Sequence, residues 1–95
     1  MQDLMTREIP TTTELADTLR RIVIEVLKLD PTATSIDNET NLYELGLESL
    51  NVVELLTQLE ITFDITIDVD DLSAELFGHF GTLVEFSQRK LSGAN

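Results

Sequence analysis

The chain has 95 residues and a formal charge of −12, from 18 acids against 6 bases. Leu29 to Gln88 contains no Lys or Arg but holds thirteen acids, so the basic patch that a phosphate backbone or an anionic membrane requires is missing, and neither nucleic acid nor membrane is an expected partner. The length fits one domain, the 42% hydrophobic content can fill a small core, and the lack of Cys excludes disulfides, thiolate metal sites and an encoded thiol nucleophile.

Residues 1–10 read as a flexible leader with no apolar run of the secretory type, and no segment is long enough to span a bilayer. A soluble, cytoplasmic monomer is the expectation. Thr11 and Glu14 have the spacing of a capping box, which opens a helix over about 12–29. Leu15, Leu19, Ile22, Val23, Val26 and Leu27 fall on one face of it, and Asp30-Pro31 is its expected stop. A polar connection follows over 30–47, with Ile36 as a single anchor and Leu42, Leu45 and Leu47 tacking it to the core. A loop of this length is uncommon in a compact domain and is often functional.

The second helix is expected from Glu48 or Ser49 to Glu60 or Thr62, with Val52, Val53, Leu55, Leu56 and Leu59 as its buried stripe. Leu50 falls on the other face, with Asn51, Glu54, Thr57, Gln58 and Ile61. The run ITFDITIDVDDL alternates like a strand but has no second strand to pair with, so it reads as an extended loop pinned by Phe63, Ile65 and Ile67. A short helix over about 70–77 follows, with Asp70 as cap and Leu72, Leu76 and Phe77 inward. The last helix is expected over about 82–91, opened by Thr82 and Glu85 and closed by Arg89 and Lys90, which suit the negative end of the dipole. The predicted fold is all-α: a small bundle of three main helices plus one short helix, with a long loop between the first two. Residues 11–91 form the domain and 92–95 a tail.

Encoded catalysis finds no support. The one histidine, His79, stands in a glycine-rich turn and reads as solvated, and no nucleophile elbow exists. No metal site is expected either. A calcium frame starting at Asp64 has Thr66 third and Val69 sixth, where the sharp turn needs Gly. One constellation remains: Leu45-Gly46-Leu47-Glu48-Ser49-Leu50, where the long loop enters the second helix. Free N–H groups and the positive dipole end favour an anion there, so a phosphate ester on Ser49 would be well placed. The bland alternative is that Ser49 is only an N-cap.

The stretch NLYELGLESLNVVELLTQLEITFD resembles the signature of acyl carrier proteins. In that family a Gly-Leu-Asp-Ser-Leu element opens the second helix and is followed by Val-Glu-Leu, Leu-Glu and Phe-Asp. Here these are Val53-Glu54-Leu55, Leu59-Glu60 and Phe63-Asp64, in register. The resemblance implies that Ser49 receives 4′-phosphopantetheine from coenzyme A, attached by a magnesium-dependent phosphopantetheinyl transferase. It implies a non-catalytic carrier whose thioester cargo, acyl or aminoacyl, is presented to successive enzymes of fatty-acid, polyketide or related biosynthesis. The zero Cys count agrees with an imported thiol. Candidate contacts for basic partner enzymes are Glu44, Leu47, Glu48, Leu50, Glu54 and Glu60. In a four-helix carrier the chain of an acyl cargo can enter the bundle, and the candidates to line such a cavity are Val53, Leu56, Phe63 and Leu72. Glu48 stands where the family usually has Asp, and Asn51, Ile61 and Thr62 occupy positions often acidic in fatty-acid carriers. These departures leave a specialised pathway as open as a housekeeping one. The alternative to the carrier is an acidic helical interaction module never modified at Ser49.

Overall fold

The computed structural model describes residues 11–93, so the leader expected at 1–10 and the end of the tail lie outside the described residues. Among the described residues, helices and 3₁₀ turns are the only regular elements. In order they are α1 (Thr12–Leu27), a 3₁₀ turn (Leu42–Leu45), α2 (Ser49–Phe63), two further 3₁₀ turns (Val69–Asp71 and Ala74–Phe77) and α3 (Phe80–Leu91).

α1 forms as its sequence dictates. The Thr11 hydroxyl accepts the Glu14 N–H at 3.1 Å and the Glu14 carboxylate accepts the Thr11 N–H at 3.0 Å, which satisfies donors that the helix itself leaves free. Its apolar stripe buries Leu15, Ala16, Leu19, Ile22, Val23 and Val26. The helix stops before Asp30-Pro31, because Lys28 turns left-handed (φ 57°) and the Leu29 N–H reaches back to the Ile24 carbonyl at 2.9 Å.

The long connection is well anchored. Asp30 organises its start by accepting the N–H and hydroxyl of Thr32 at 3.0 and 2.8 Å. Ile36 is buried as expected, and its carbonyl accepts the Arg20 Nε–H at 2.7 Å. The carbonyls of Thr40 and Asn38 accept the N–H groups of Phe80 and Gly81 at 2.8 and 3.0 Å. These two bonds explain why α3 starts at Phe80, two residues before the expected Thr82. The loop backbone satisfies the first donors of the helix, so the Thr82–Glu85 capping box is not used, and exposed His79 takes the N-cap position. Gly81 permits this contact, since a Cβ there would lie 3.1 Å from Asn38 Cβ and 3.2 Å from its carbonyl oxygen.

The expected helix over 70–77 is two 3₁₀ turns separated by Leu72 and Ser73. Leu76 and Phe77 are buried as predicted, but Leu72 lies between the turns and is 37% exposed. Phe63, Ile65 and Ile67 are half-buried, and Phe63 and Ile67 pack on the core. α1 packs against both α2 and α3, and the Ala74–Phe77 turn packs on α3. Phe80, Leu19, Leu42, Leu55, Leu59 and Leu83 form the fully buried centre. One polar side chain lies in it: Ser87, fully buried on α3, whose hydroxyl has no hydrogen-bond partner among the described residues.

Candidate functional site

The site is built where the long connection becomes α2. Leu42 is fully buried and fixes the Leu42–Leu45 turn to the core, while Asn41 caps that turn by accepting the Tyr43 N–H at 2.8 Å. Gly46 then reverses the chain at φ 109°, a conformation that side chains disfavour and Gly adopts freely. Leu47 plugs back into the core at 5% exposure. Glu48 is the N-cap in extended conformation; its carbonyl accepts the Val52 N–H at 2.9 Å and its own N–H donates to Asn51 Oδ1 at 3.1 Å.

Ser49 is thereby the first helical residue of α2 and not its cap. It is exposed, and its hydroxyl has no partner among the described residues. The N–H groups of Ser49 and Leu50 also lack an acceptor among the described residues. The result is an unpartnered nucleophilic oxygen at the positive end of a 15-residue helix, beside N–H donors that suit a phosphate. These residues fit a phosphate ester on the hydroxyl, because no hydrogen bond among the described residues would have to be broken to place one.

Beside Ser49 runs an open groove of about 530 Å³. Its walls are Leu47 and Val52 on one side and Leu72, Ala74 and Phe77 on the other, with Tyr43 between them. Of the residues expected to line an acyl cavity, Leu72 borders this groove, while Leu56 and Phe63 are half-buried against the core. Val53 does not belong to the buried stripe: it is 62% exposed and points away from the bundle. Tyr43, Ser73 and Ala74 are groove residues that the sequence did not single out, and Tyr43 ties the groove together. Its hydroxyl donates to the Ala74 carbonyl across 31 residues of chain, a contact that no periodicity announces.

The docking candidates sort clearly. Glu44, Glu48 and Glu54 are exposed around Ser49, and Leu50 is 77% exposed as its helical position predicts. Ile61 is 69% exposed on the same face, and Val53 joins them. Leu47 is buried, so it serves the groove rather than the outer surface. Glu60 is half-buried and its carboxylate accepts the Ile67 N–H at 2.8 Å, which ties it to the following loop. No base of the described residues joins these acids. Arg20 is held by Asp17 at 2.7 Å and lies over the Phe80 ring, and Lys90 pairs with Asp71 at 2.8 Å on α3. That pair holds the Asp71 carboxyl below the ordinary carboxylate range, chiefly through the Lys90 hydrogen bond and then through the Asp68 N–H. Among the described residues no group of three or more His, Cys, Asp or Glu is placed to hold a metal ion, and no helix is long and apolar enough to cross a membrane.

A family model described as the phosphopantetheine attachment site matches residues 17–89. The chain is 32% identical over 73 residues to the acyl carrier protein of Campylobacter curvus, an overlap of 77% of this chain and 91% of the relative. It is 35% identical over 72 residues to the acyl carrier protein of a Sulfurovum species, covering 76% and 92%. With the acyl carrier protein of Phenylobacterium zucineum it shares 35% identity over 78 residues, covering 82% and 95%.

Proposed function

The chain belongs to the acyl carrier protein family, whose members are carriers and not catalysts, and from that premise we propose that Ser49 bears the family's 4′-phosphopantetheine arm and that the loaded arm carries an acyl or aminoacyl group. The arm supplies a terminal thiol, which holds the cargo as a thioester. In the attachment step the Ser49 hydroxyl attacks the β-phosphorus of coenzyme A. The bond from that phosphorus to the oxygen bridging the two phosphates breaks, 3′,5′-ADP leaves, and the hydroxyl proton passes to a base of the transferase. The single observation that carries this reading is the Ser49 hydroxyl: exposed, without a partner among the described residues, and at the first turn of α2. Free N–H groups beside it can hold the phosphate of the ester, and Gly46 leaves the approach open, with nothing within 4 Å of where a Cβ would be.

The partners of this family are a phosphopantetheinyl transferase and biosynthetic enzymes. Here Glu44, Glu48 and Glu54 form the acidic half of the proposed docking surface and Leu50, Val53 and Ile61 the apolar half. Charge steers a basic partner toward Ser49, and the apolar side chains give contact once it arrives. On α2, Asn51, Ile61 and Thr62 stand where acids would serve a fatty-acid carrier, and Ile61 is 69% exposed, which supports a dedicated partner in a specialised pathway. We place the work of the carrier in the cytoplasm, where coenzyme A is available.

The test is incubation with coenzyme A and a broad-range phosphopantetheinyl transferase, followed by mass spectrometry of intact protein and peptides. One arm on Ser49 is expected, and none on Ser49→Ala. A folded protein that stays unmodified with every transferase tried supports the unmodified interaction module instead.

A further inference from the structure

One wall of the groove beside Ser49 is formed by the chain between α2 and α3, and among the described residues three polar side-chain contacts hold that chain to the rest of the bundle. Glu60 on α2 accepts the Ile67 N–H, and Lys90 on α3 pairs with Asp71, both at 2.8 Å. These two secure its base. The third contact crosses the groove: the Tyr43 hydroxyl donates to the Ala74 carbonyl at 2.8 Å, and the Tyr43 ring meets the edge of Phe77 at 6.4 Å and 82°. Tyr43, Ala74 and Phe77 all line the groove with Ser49. Tyr43 is 41% exposed, so its ring spans the recess near the surface and does not fill the interior. In the core, Leu42, Leu55 and Leu59 are packed to 1% exposure or less. A chain passing from Ser49 into the interior between the Ala74–Phe77 turn and the Leu42–Leu45 turn parts those two turns, and the Tyr43–Ala74 hydrogen bond joins them.

Resting on the carrier reading of Ser49, the geometry points to Tyr43 as the residue that sets the length of acyl group this carrier shelters. With the hydroxyl held on Ala74, the recess accommodates a short acyl group against Leu47, Val52 and Leu72. A long chain is sheltered only after the Tyr43–Ala74 bond has opened. Tyr43 acts here by positioning a wall, and it takes no part in the chemistry at Ser49.

The experiment loads the intact protein with butyryl- and decanoyl-phosphopantetheine, using the two acyl-coenzyme A esters and a transferase, and measures thioester cleavage by hydroxylamine. In the natural protein the butyryl ester should be protected more than the decanoyl ester. In Tyr43→Phe, which keeps the ring and loses the bond, decanoyl protection should rise by about fivefold, the population change expected from losing one ordinary hydrogen bond, with butyryl protection unchanged. Tyr43→Leu, which also removes the edge contact, should shift the profile in the same direction. A merely structural loss would move both esters together. Equal protection of the two esters in the natural protein, or an unchanged profile in Tyr43→Phe, overturns the inference while leaving the carrier reading intact. Failure to load either ester onto Ser49 overturns both.

Discussion

Replacing Ser87 by Ala removes a fully buried hydroxyl that has no hydrogen-bond partner among the described residues. A serine inside a helix often returns its hydroxyl to the carbonyl four residues back, but Ser87 makes no such bond. Burying a hydroxyl without a partner costs about 1–3 kcal/mol. Alanine also favours a helix interior over serine by roughly 0.5 kcal/mol. Against these gains stands the small void left by one oxygen, which costs well under the ~1 kcal/mol of a missing methyl group. The net expectation is a gain of about 1–3 kcal/mol. For a domain of this size each kcal/mol raises Tm by roughly 4–8 °C. Urea denaturation should show a higher midpoint at an unchanged slope, since no surface is redistributed. A loss of stability of about 1 kcal/mol or more would refute the reasoning, and would mean that a buried water satisfies the hydroxyl in solution.

Gly81→Ala should destabilise the protein by about 1–3 kcal/mol in the same assay, because the new methyl group meets Asn38 at 3.1–3.2 Å and the loop must give way. The Asp71 carboxyl titrates below the usual carboxylate range when folded, so its pairing adds stability above the ordinary pKa and loses it as pH falls through the lowered value. Lys90→Met should therefore move the Asp71 carboxyl titration, read by NMR, back up toward its ordinary value. Asp30, which is lowered mainly by the Thr32 hydroxyl, should not move. Glu48→Lys combined with Glu54→Lys should slow arm transfer about tenfold at low salt and less at high salt; an unchanged rate would remove charge steering from the docking surface.

The three helices were legible because their signals are local. The Thr11–Glu14 box and the stripe from Leu15 to Val26 lie within one helix and answer to its own period. The start of α2 at Ser49 was legible for the same reason, as a loop-to-helix junction marked by Gly46, while the choice of Ser49 as a modified residue rests on the resemblance to the acyl carrier signature. What escaped was set by distant partners. The start of α3 depends on carbonyls of Asn38 and Thr40, some forty residues earlier, and no capping rule reads that far. The apolar stripe expected of α2 includes Val53, yet its helical position puts it outside with Leu50 and Ile61. The expected short helix broke at Leu72 and Ser73, leaving a 3₁₀ turn on either side. Tyr43 gave no signal beyond being the sole tyrosine, since its partner is a backbone carbonyl and any residue offers one.

The loop that leads to Ser49 is bolted at several points, to Arg20 through the Ile36 carbonyl and to α3 through Asn38 and Thr40. The arm proposed on Ser49 is a tether swung from such a base, and its pivot is fixed. Uncertainty in where its tip lies then comes from the tether alone, and the base adds little. An enzyme that grips the outer face of α2 would thus also set the centre of the sphere that the cargo can sweep. Turning the carrier on its partner, with no change of shape in either, would be enough to redirect the cargo from one active site to another.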